Sequence, residues 1–487
     1  MRHGPKACSG VQQNAGNTCA VSDIAHRLVL DSWISFHSPV DGPSKHAIDS
    51  LQKQIDFHVG EANRLKYAQN LHIAISRLPA ELLAEVFLYI VESGLRGDNT
   101  RFTAGTFSFL QVCRRWKEVA VGFPQLWSWW VAGSFRAWTI FSSRSKNVPI
   151  SLVWRPQIPA STLSILMDPA VPKRIRQLDF SGTSVQLENL LGALGTNPPS
   201  NASSIRLQIF PYDNREPREH LIHFLSSSFP KLSRLDLLSF LPAPSSPVFT
   251  TSGLTSLKLF LPYGKKNRYT LFQFSHILQR HPNLRELELN HGAIPQPVSS
   301  GFPPVPFTLP HLATLRLYGA ESAILGFLDL VGMSSPLHNV VVRFSRPQYF
   351  DAPALASTVQ KVLGGYYECQ GLNRPRKANH LTISCSPEKD NITFDIRSHP
   401  VPAPNPRPNL KLQFNGICER DMNAMVRVVF PLFPLEDIRG FAFEGSLLHA
   451  DVCSEIYGKM KDISYLRLDD VDLWSALEAL SSSNRGT

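Results

Sequence analysis

The chain is 487 residues long, which sets a prior of about three domains and leaves ample length for a core. Charged residues are 18% against roughly 25% in an average soluble protein, hydrophobic ones are 43%, and there are 38 prolines, a composition that excludes a coiled-coil rod and a wholly disordered chain. The 49 Lys and Arg against 39 Asp and Glu give +10, but no Lys/Arg run concentrates that charge, so no nucleic-acid arm is indicated.

Residues 1–46 are rich in Gly, Ser, Asn and isolated charges and are expected to form a poorly ordered tail; Met1 to Ala20 lacks the apolar stretch of a signal peptide. From 47 to 74, Ile48, Leu51, Ile55, Ala62 and Leu65 recur at three- and four-residue steps. That spacing predicts an amphipathic helix packed on its own chain, with a short coiled coil as the other reading. Over 75–130 a helix starts near Pro79, whose missing N–H costs nothing in a first turn, and Glu81 sits where the helix dipole favours an anion. Its apolar residues form two overlapping stripes, Leu82/Val86/Ile90 and Leu83/Phe87, more than one small core can cover, so an interface is implied. After a Gly-rich loop, a second helix carries Phe109, Cys113, Trp116 and Ala120 on one side, and Pro124 ends it.

The run Leu-Pro-x-Glu-Leu-Leu-x-x-Val-Phe at 78–87, then Val112, Cys113, Arg114, Arg115 and Trp116, then Leu126 and Trp127, resembles both halves of the F-box motif in order. The loop from Glu92 to Thr106 is longer than in compact F-boxes and is similar to that of large fungal F-box families, as is the preceding helix. The resemblance implies a small helical domain that docks on a Skp-type adaptor and, through it, a cullin. The adaptor-binding set it implies is Leu78, Pro79, Glu81, Leu82, Leu83, Val86, Phe87, Val112, Cys113 and Trp116. For Leu83, Val112 and Cys113, a purely core-filling role remains open.

Residues 131–170 form a linker and cap, with a helix carrying Phe135, Trp138 and Phe141 and then an alternating strand, Ile150/Leu152/Trp154. Trp127, Trp129, Trp130 and Trp138 are expected to be buried between the helical domain and the repeat array. From 171 to 480, L-x-x-L-x-L segments recur, among them Ile175/Leu178/Phe180, Leu232/Leu235/Leu237, Leu254/Leu257/Leu259, Leu284/Leu287/Leu289 and Leu312/Leu315/Leu317. The mean step of about 29 residues lies at the long end of the leucine-rich-repeat range. The last two apolar positions face a core from a short strand, the residue between them faces out, and stretches such as Arg218 to Leu225 and Tyr269 to Gln279 return as helix. The step stretches between 341 and 381, and 399–408 is Pro-dense, so an inserted loop or a break is expected around each. The fold class is mixed α/β or α+β: a small all-helical F-box followed by an irregular leucine-rich-repeat solenoid.

Motifs for phosphate cradles, nucleophile elbows and zinc helices do not occur, and the seven cysteines form no CxxC pair. His220 and His223 share a helix face without a third ligand, and Asp469, Asp470 and Asp472 suit a solvated turn. No catalytic residue, metal, cofactor, nucleic-acid partner or membrane span is expected, and the setting expected is cytoplasm, nucleus or both. The function expected is that of a substrate adaptor in an SCF-type (Skp, cullin, F-box) ubiquitin ligase, with a repeat-array scaffold that transfers no ubiquitin as the other reading. An unidentified protein substrate is expected on the outward residues Asp179, Gln208, Asp236, Lys258, Glu288, Arg316, Val341, Thr382, Gln413, Ala442 and Arg467. The charged members, Asp179, Asp236, Lys258, Glu288, Arg316 and Arg467, are the binding candidates. Reversing Lys258, Glu288 and Arg316 together is expected to leave stability unchanged, as exposed substitutions do.

Overall fold

The computed structural model describes residues 45–469 apart from 97–103, 132–134, 157–161, 196, 211–228, 250–252, 263–268, 296–305, 333–336, 346–351, 369–379, 387–390, 398–408, 416–418, 434, 436–437, 445–449 and 461–462. The chain forms two compact units, Met1–Pro79 and Ala80–Thr487. In the first, α1 (Lys45–Leu71) stands where the periodicity places it, and a 3-10 turn at Ala74–Arg77 follows. The Glu61–Arg64 and Gln52–Asp56 pairs brace its polar side at helical spacing. Ile48, Leu51, Ile55 and Leu65 are all exposed, so no described residue of this unit covers the stripe, where a helix packed on its own chain is expected. The tail expected before it lies outside the described residues up to 44.

The second unit opens with α2 (Ala80–Arg96), a 3-10 segment at Ala104–Gln111, α3 (Arg114–Gly122) and a 3-10 turn at Pro124–Trp127. Leu83, Phe87, Val91, Phe109, Ala120, Leu126 and Trp127 close a small core of their own. Phe87 stacks on Phe109 with centroids 4.4 Å apart. Trp127 donates its indole N–H to the Ala120 carbonyl at 2.8 Å, which satisfies the polar group that the ring carries inward. Arg144, from α4 (Phe135–Ser145), lies 4.3 Å over the same ring and ties this core to the next segment.

The sheet begins immediately afterwards, inside the stretch assigned from sequence to the helical domain. β1 (Trp129–Val131) pairs in parallel with β2 (Ile150–Trp154), and Trp130 meets Trp138 at 4.3 Å. Trp127, Trp130 and Trp138 are buried, as expected, and Trp129 is half-buried. Then follow β3 (Ile175–Gly182), β4 (Ser204–Ile209), β5 (Arg234–Leu238), β6 (Ser256–Leu261) and β7 (Glu286–His291), each parallel to its neighbour. A separate two-stranded pair joins β8 (Phe307–Thr308) and β10 (Val331–Gly332). The main sheet continues with β9 (Thr314–Gly319) and β11 (Asn339–Ser345). Burial alternates residue by residue along β4, β5, β9 and β11, and Leu178, Ile205, Leu235, Leu257, Leu287, Leu315 and Val340 stand side by side in register as one buried ladder.

Helices return behind the strands: α5 (Ser184–Gly195), α6 (Leu271–Gln279), α7 (Glu321–Leu330) and α8 (Ala352–Glu368). A reciprocal capping box starts α6, in which Thr270 accepts from the Gln273 backbone and Gln273 from the Thr270 backbone. Phe274 and Phe327 join α6 to α7 at 6.1 Å. The helix expected at Arg218–Leu225, with His220 and His223, and the Pro-dense 399–408 lie outside the described residues.

Sequential strand order ends at β11. Beside it lies not β12 (His380–Ser386) but β14 (Asn409–Asn415), in parallel. β13 (Asn391–Arg397) runs antiparallel between β14 and β12, and β15 (Gly440–Glu444) and β16 (Tyr465–Asp469) extend in parallel from β12. The expected break is thus a three-stranded meander laid into the sheet in reverse order, and the result is a mixed α/β fold around one large, mostly parallel sheet. The strand missed from sequence, β13, carries the alternation Ile392, Phe394, Ile396, all buried.

Strand starts share one irregularity. The Ser203 carbonyl accepts from both Ser233 N (2.9 Å) and Arg234 N (3.0 Å), the Ser233 carbonyl from Thr255 N (2.8 Å) and Ser256 N (3.0 Å), and the Thr255 carbonyl from Arg285 N and Glu286 N. One acceptor facing two consecutive donors is a bulge-like arrangement, and it falls on the two residues between the first two apolar positions of L-x-x-L-x-L. Between β2 and β3 the register itself jumps, from Ile150 opposite Ile175 to Ser151 opposite Gln177, which leaves Arg176 as the extra residue.

Candidate functional site

α2 carries two apolar stripes of opposite fate. Leu83, Phe87 and Val91 are fully buried, while Leu82 is 54% exposed, Val86 38%, Tyr89 74% and Ile90 42%. The four exposed positions fall at i, i+4, i+7 and i+8, so they share one helix face. Of the residues expected to touch an adaptor, Leu83 takes the core-filling role left open for it and Phe87 is corrected to core: both have no accessible surface, and Phe87 is held between Phe109 and Trp116. Pro79, Glu81, Leu82, Val86 and Val112 are exposed, and Leu78, Cys113 and Trp116 are half-buried. Cys113 serves as N-cap of α3, where its carbonyl accepts from Lys117 N at 3.1 Å. Tyr89, the most exposed large residue of that face, was not singled out from the sequence; its position seven residues after Leu82 was the available signal.

On the sheet, the outward residues stand side by side as the repeat geometry requires, with two corrections of register. Gln208 pairs with Ser181 and Leu238, one row along, and the position opposite Asp179 and Asp236 belongs to Arg206. Lys411 likewise replaces Gln413 opposite Val341. The row across β3, β4, β5, β6, β7 and β9 then reads Asp179, Arg206, Asp236, Lys258, Glu288, Arg316, acid and base in strict alternation. In a parallel sheet such neighbours are close enough to neutralise one another.

They do so. Lys258 Nζ lies 2.8 Å from Glu286 Oε1 and 3.5 Å from Glu288 Oε2, and Arg316 reaches the same carboxylates at 3.8 and 3.3 Å. Burial alone raises the Glu286 carboxyl, but Lys258, Ser256 and Arg316 together outweigh it and hold the group below its ordinary value. Asp179 is buried and paired with Arg155 at 3.1 Å. Asp236 is the exception: its Oδ1 is buried without a hydrogen-bond partner, and burial pushes its carboxyl up to about 6 against the pull of Lys258, Arg234 and Arg206. The expectation that reversing Lys258, Glu288 and Arg316 leaves stability unchanged is therefore corrected. They are half-buried, and Lys258 and Arg316 each pair with Glu288 and Glu286, so reversal would set two new carboxylates, at 258 and 316, against the unaltered Glu286. Arg467 is exposed on β16, where it is in register with Ala442. One row along, Arg343 lies 4.9 Å over the Tyr318 ring.

Among the described residues no group of three His, Cys, Asp or Glu gathers to hold a metal, and no helix is long and apolar enough to cross a membrane. No protein-family model matches the chain, and comparison with curated proteins finds none that matches it.

Proposed function

We propose that the chain is the substrate-recognition subunit of an SCF-type ubiquitin ligase, acting in cytoplasm or nucleus. In this reading residues 75–127 act as an F-box that docks on a Skp-type adaptor and, through it, a cullin, and the strand-and-helix repeats act as a leucine-rich-repeat-like solenoid that holds a protein substrate. The observation that supports it is the outer face of α2: Leu82, Val86, Tyr89 and Ile90 lie exposed while the opposite stripe of the same helix already closes the local core. Apolar area on one helix face gains roughly 25 cal/mol per Å² only when something covers it. The chain would contribute no reacting group. It would raise the concentration of substrate lysines near a conjugating enzyme held elsewhere in the assembly. Substrate contacts are assigned to the polar face of the sheet, where Leu238 and Tyr318 lie one row from the charged ladder.

The test is co-purification of a Skp-type adaptor and a cullin with the full chain carrying Leu82→Asp. A carboxylate buried without a partner costs the complex several kcal/mol, whereas the free chain, with Leu82 exposed, keeps its melting temperature. Wild-type recovery of the adaptor by the variant refutes the assignment of the surface. Recovery of the adaptor by the wild-type chain without any cullin favours the scaffold that transfers no ubiquitin.

A further inference from the structure

We propose that a groove at the strand-start edge of the sheet, apart from the outer face of α2, binds a ligand through a single phosphate monoester. The groove encloses about 510 Å³ between Leu88 and Glu92 of α2 and the first residues of β2 to β6. That volume lies within the range of small-molecule sites. Arg176 and Arg234 line it together with Ser151, Ser203 and Ser204.

The local backbone explains why these donors converge. The register jump between β2 and β3 makes Arg176 an extra residue, so that it and Gln177 both line the groove, and the paired donors at Ser233 and Arg234 do the same two strands away. Bulges re-aim side chains in this way beside functional sites. Small Ser203 and Ser204 on the intervening strand leave the space between the two arginines open. Arg234 exerts a charge effect on the Asp236 carboxyl, but no hydrogen bond accompanies it. Neither guanidinium forms an ion pair or hydrogen bond with a described residue, and the hydroxyls of Ser151, Ser203 and Ser204 have no partner among the described residues. By contrast, the Ser233 and Thr255 hydroxyls are bonded to the carbonyls of Ser203 and Ser233, and Lys258 and Arg316 are paired in the charged row. Unused donors are thus concentrated where a cavity can hold their acceptor.

A planar guanidinium fork matches an oxyanion bidentately, and hydroxyls complete its coordination. The carboxylate of Glu92 on the helix wall and the small number of cations restrict the ligand to a single anionic group, since a nucleic-acid track needs a run of cations.

The test is thermal denaturation of the full chain, followed by calorimetric titration, with inorganic phosphate, free O-phosphoserine and a short peptide bearing one phosphoserine, against sodium chloride at equal ionic strength. A saturable stabilisation by at least one phosphate probe and not by chloride is expected. Arg176→Gln and Arg234→Gln should each weaken it about tenfold or more, and together abolish it. If Arg234→Gln lowers the unliganded melting temperature through its effect on Asp236, Arg176→Gln carries the test by itself. Binding of the peptide but not of free phosphoserine assigns the anion to a protein chain, and the reverse assigns it to a small metabolite; either result upholds the site. No saturable response beyond chloride from any probe, or an undiminished response in the double variant, overturns it.

Discussion

Asp236→Asn should make the protein more stable at neutral pH, although it removes a charge that faces Lys258 and Arg206 across the sheet. The carboxyl has an ordinary value of 3.8 and sits at about 6 in the fold, because the cost of burying its charge exceeds what the neighbouring cations return. Each unit of displacement corresponds to about 1.4 kcal/mol, so the ionised form strains the native state by roughly 2 to 3 kcal/mol at pH 7. The sign follows from the raised value: the folded state holds its proton more tightly than the unfolded chain. Stability associated with this group is complete below pH 3.8 and is lost as pH rises through about 6. Asn copies the neutral form at every pH. Urea melts of wild type and variant between pH 4 and 8 should therefore coincide near pH 4 and separate by roughly 2 to 3 kcal/mol above pH 7, with the variant the more stable. A variant less stable than wild type at pH 7, or a difference that does not change with pH, would show that Lys258 and Arg206 compensate the buried carboxylate in full.

His281 tests the opposite sign: burial holds the ring down to about 4, so its contribution is present above pH 6.5 and is lost as pH falls through about 4, up to roughly 3 kcal/mol. In wild type, protonation of Asp236 offsets this loss over much of the same window, so acid sensitivity between pH 6 and 4 should be steeper in Asp236→Asn than in wild type, as read by melting temperature. Lys258→Met leaves Glu286 and Glu288 with Arg316 as their remaining ion-pair partner and should cost about 1 kcal/mol at low ionic strength, shrinking in molar salt. Phe87→Ala, which empties a fully buried site, should cost about 3 to 5 kcal/mol in urea unfolding, in contrast to the neutral Leu82→Asp five residues earlier.

The division of α2 into a buried and an exposed stripe was legible because a helix has one period, and two stripes a residue apart cannot both face one small core. The register of the sheet was legible only in part. β4 carries Ile205, Leu207 and Ile209, and β14 carries Leu410, Leu412 and Phe414, so period-two alternation fits two settings of the L-x-L pair equally well. The marker that separates them in β4 is the first apolar position of the repeat, occupied by Ala202, fully buried but too small to stand out as a hydrophobic anchor. With the register set wrongly by two residues, Arg206 was not placed in the row, and the alternation of charge that neutralises it could not be seen. Glu286 was missed for a related reason: it belongs to the strand-start pair rather than to L-x-L, yet it shares Lys258 with Glu288. The exchange of β12 and β14 leaves no trace in either strand, since both are apolar at alternate positions and only pairing partners distinguish them.

That exchange also orders events in time. A chain made from its N-terminus can add strands one by one as far as β11, because each new strand finds its partner already in place. The next strand to be made, β12, has no partner there, and the edge of β11 stays unpaired until residues 409–415 have emerged. During that interval the molecule presents an open, apolar strand edge of the kind that recruits other chains. A ribosome stalled between β11 and β14 should therefore hold a nascent chain that aggregates or retains chaperones, and emergence of residues 409–415 should lessen both.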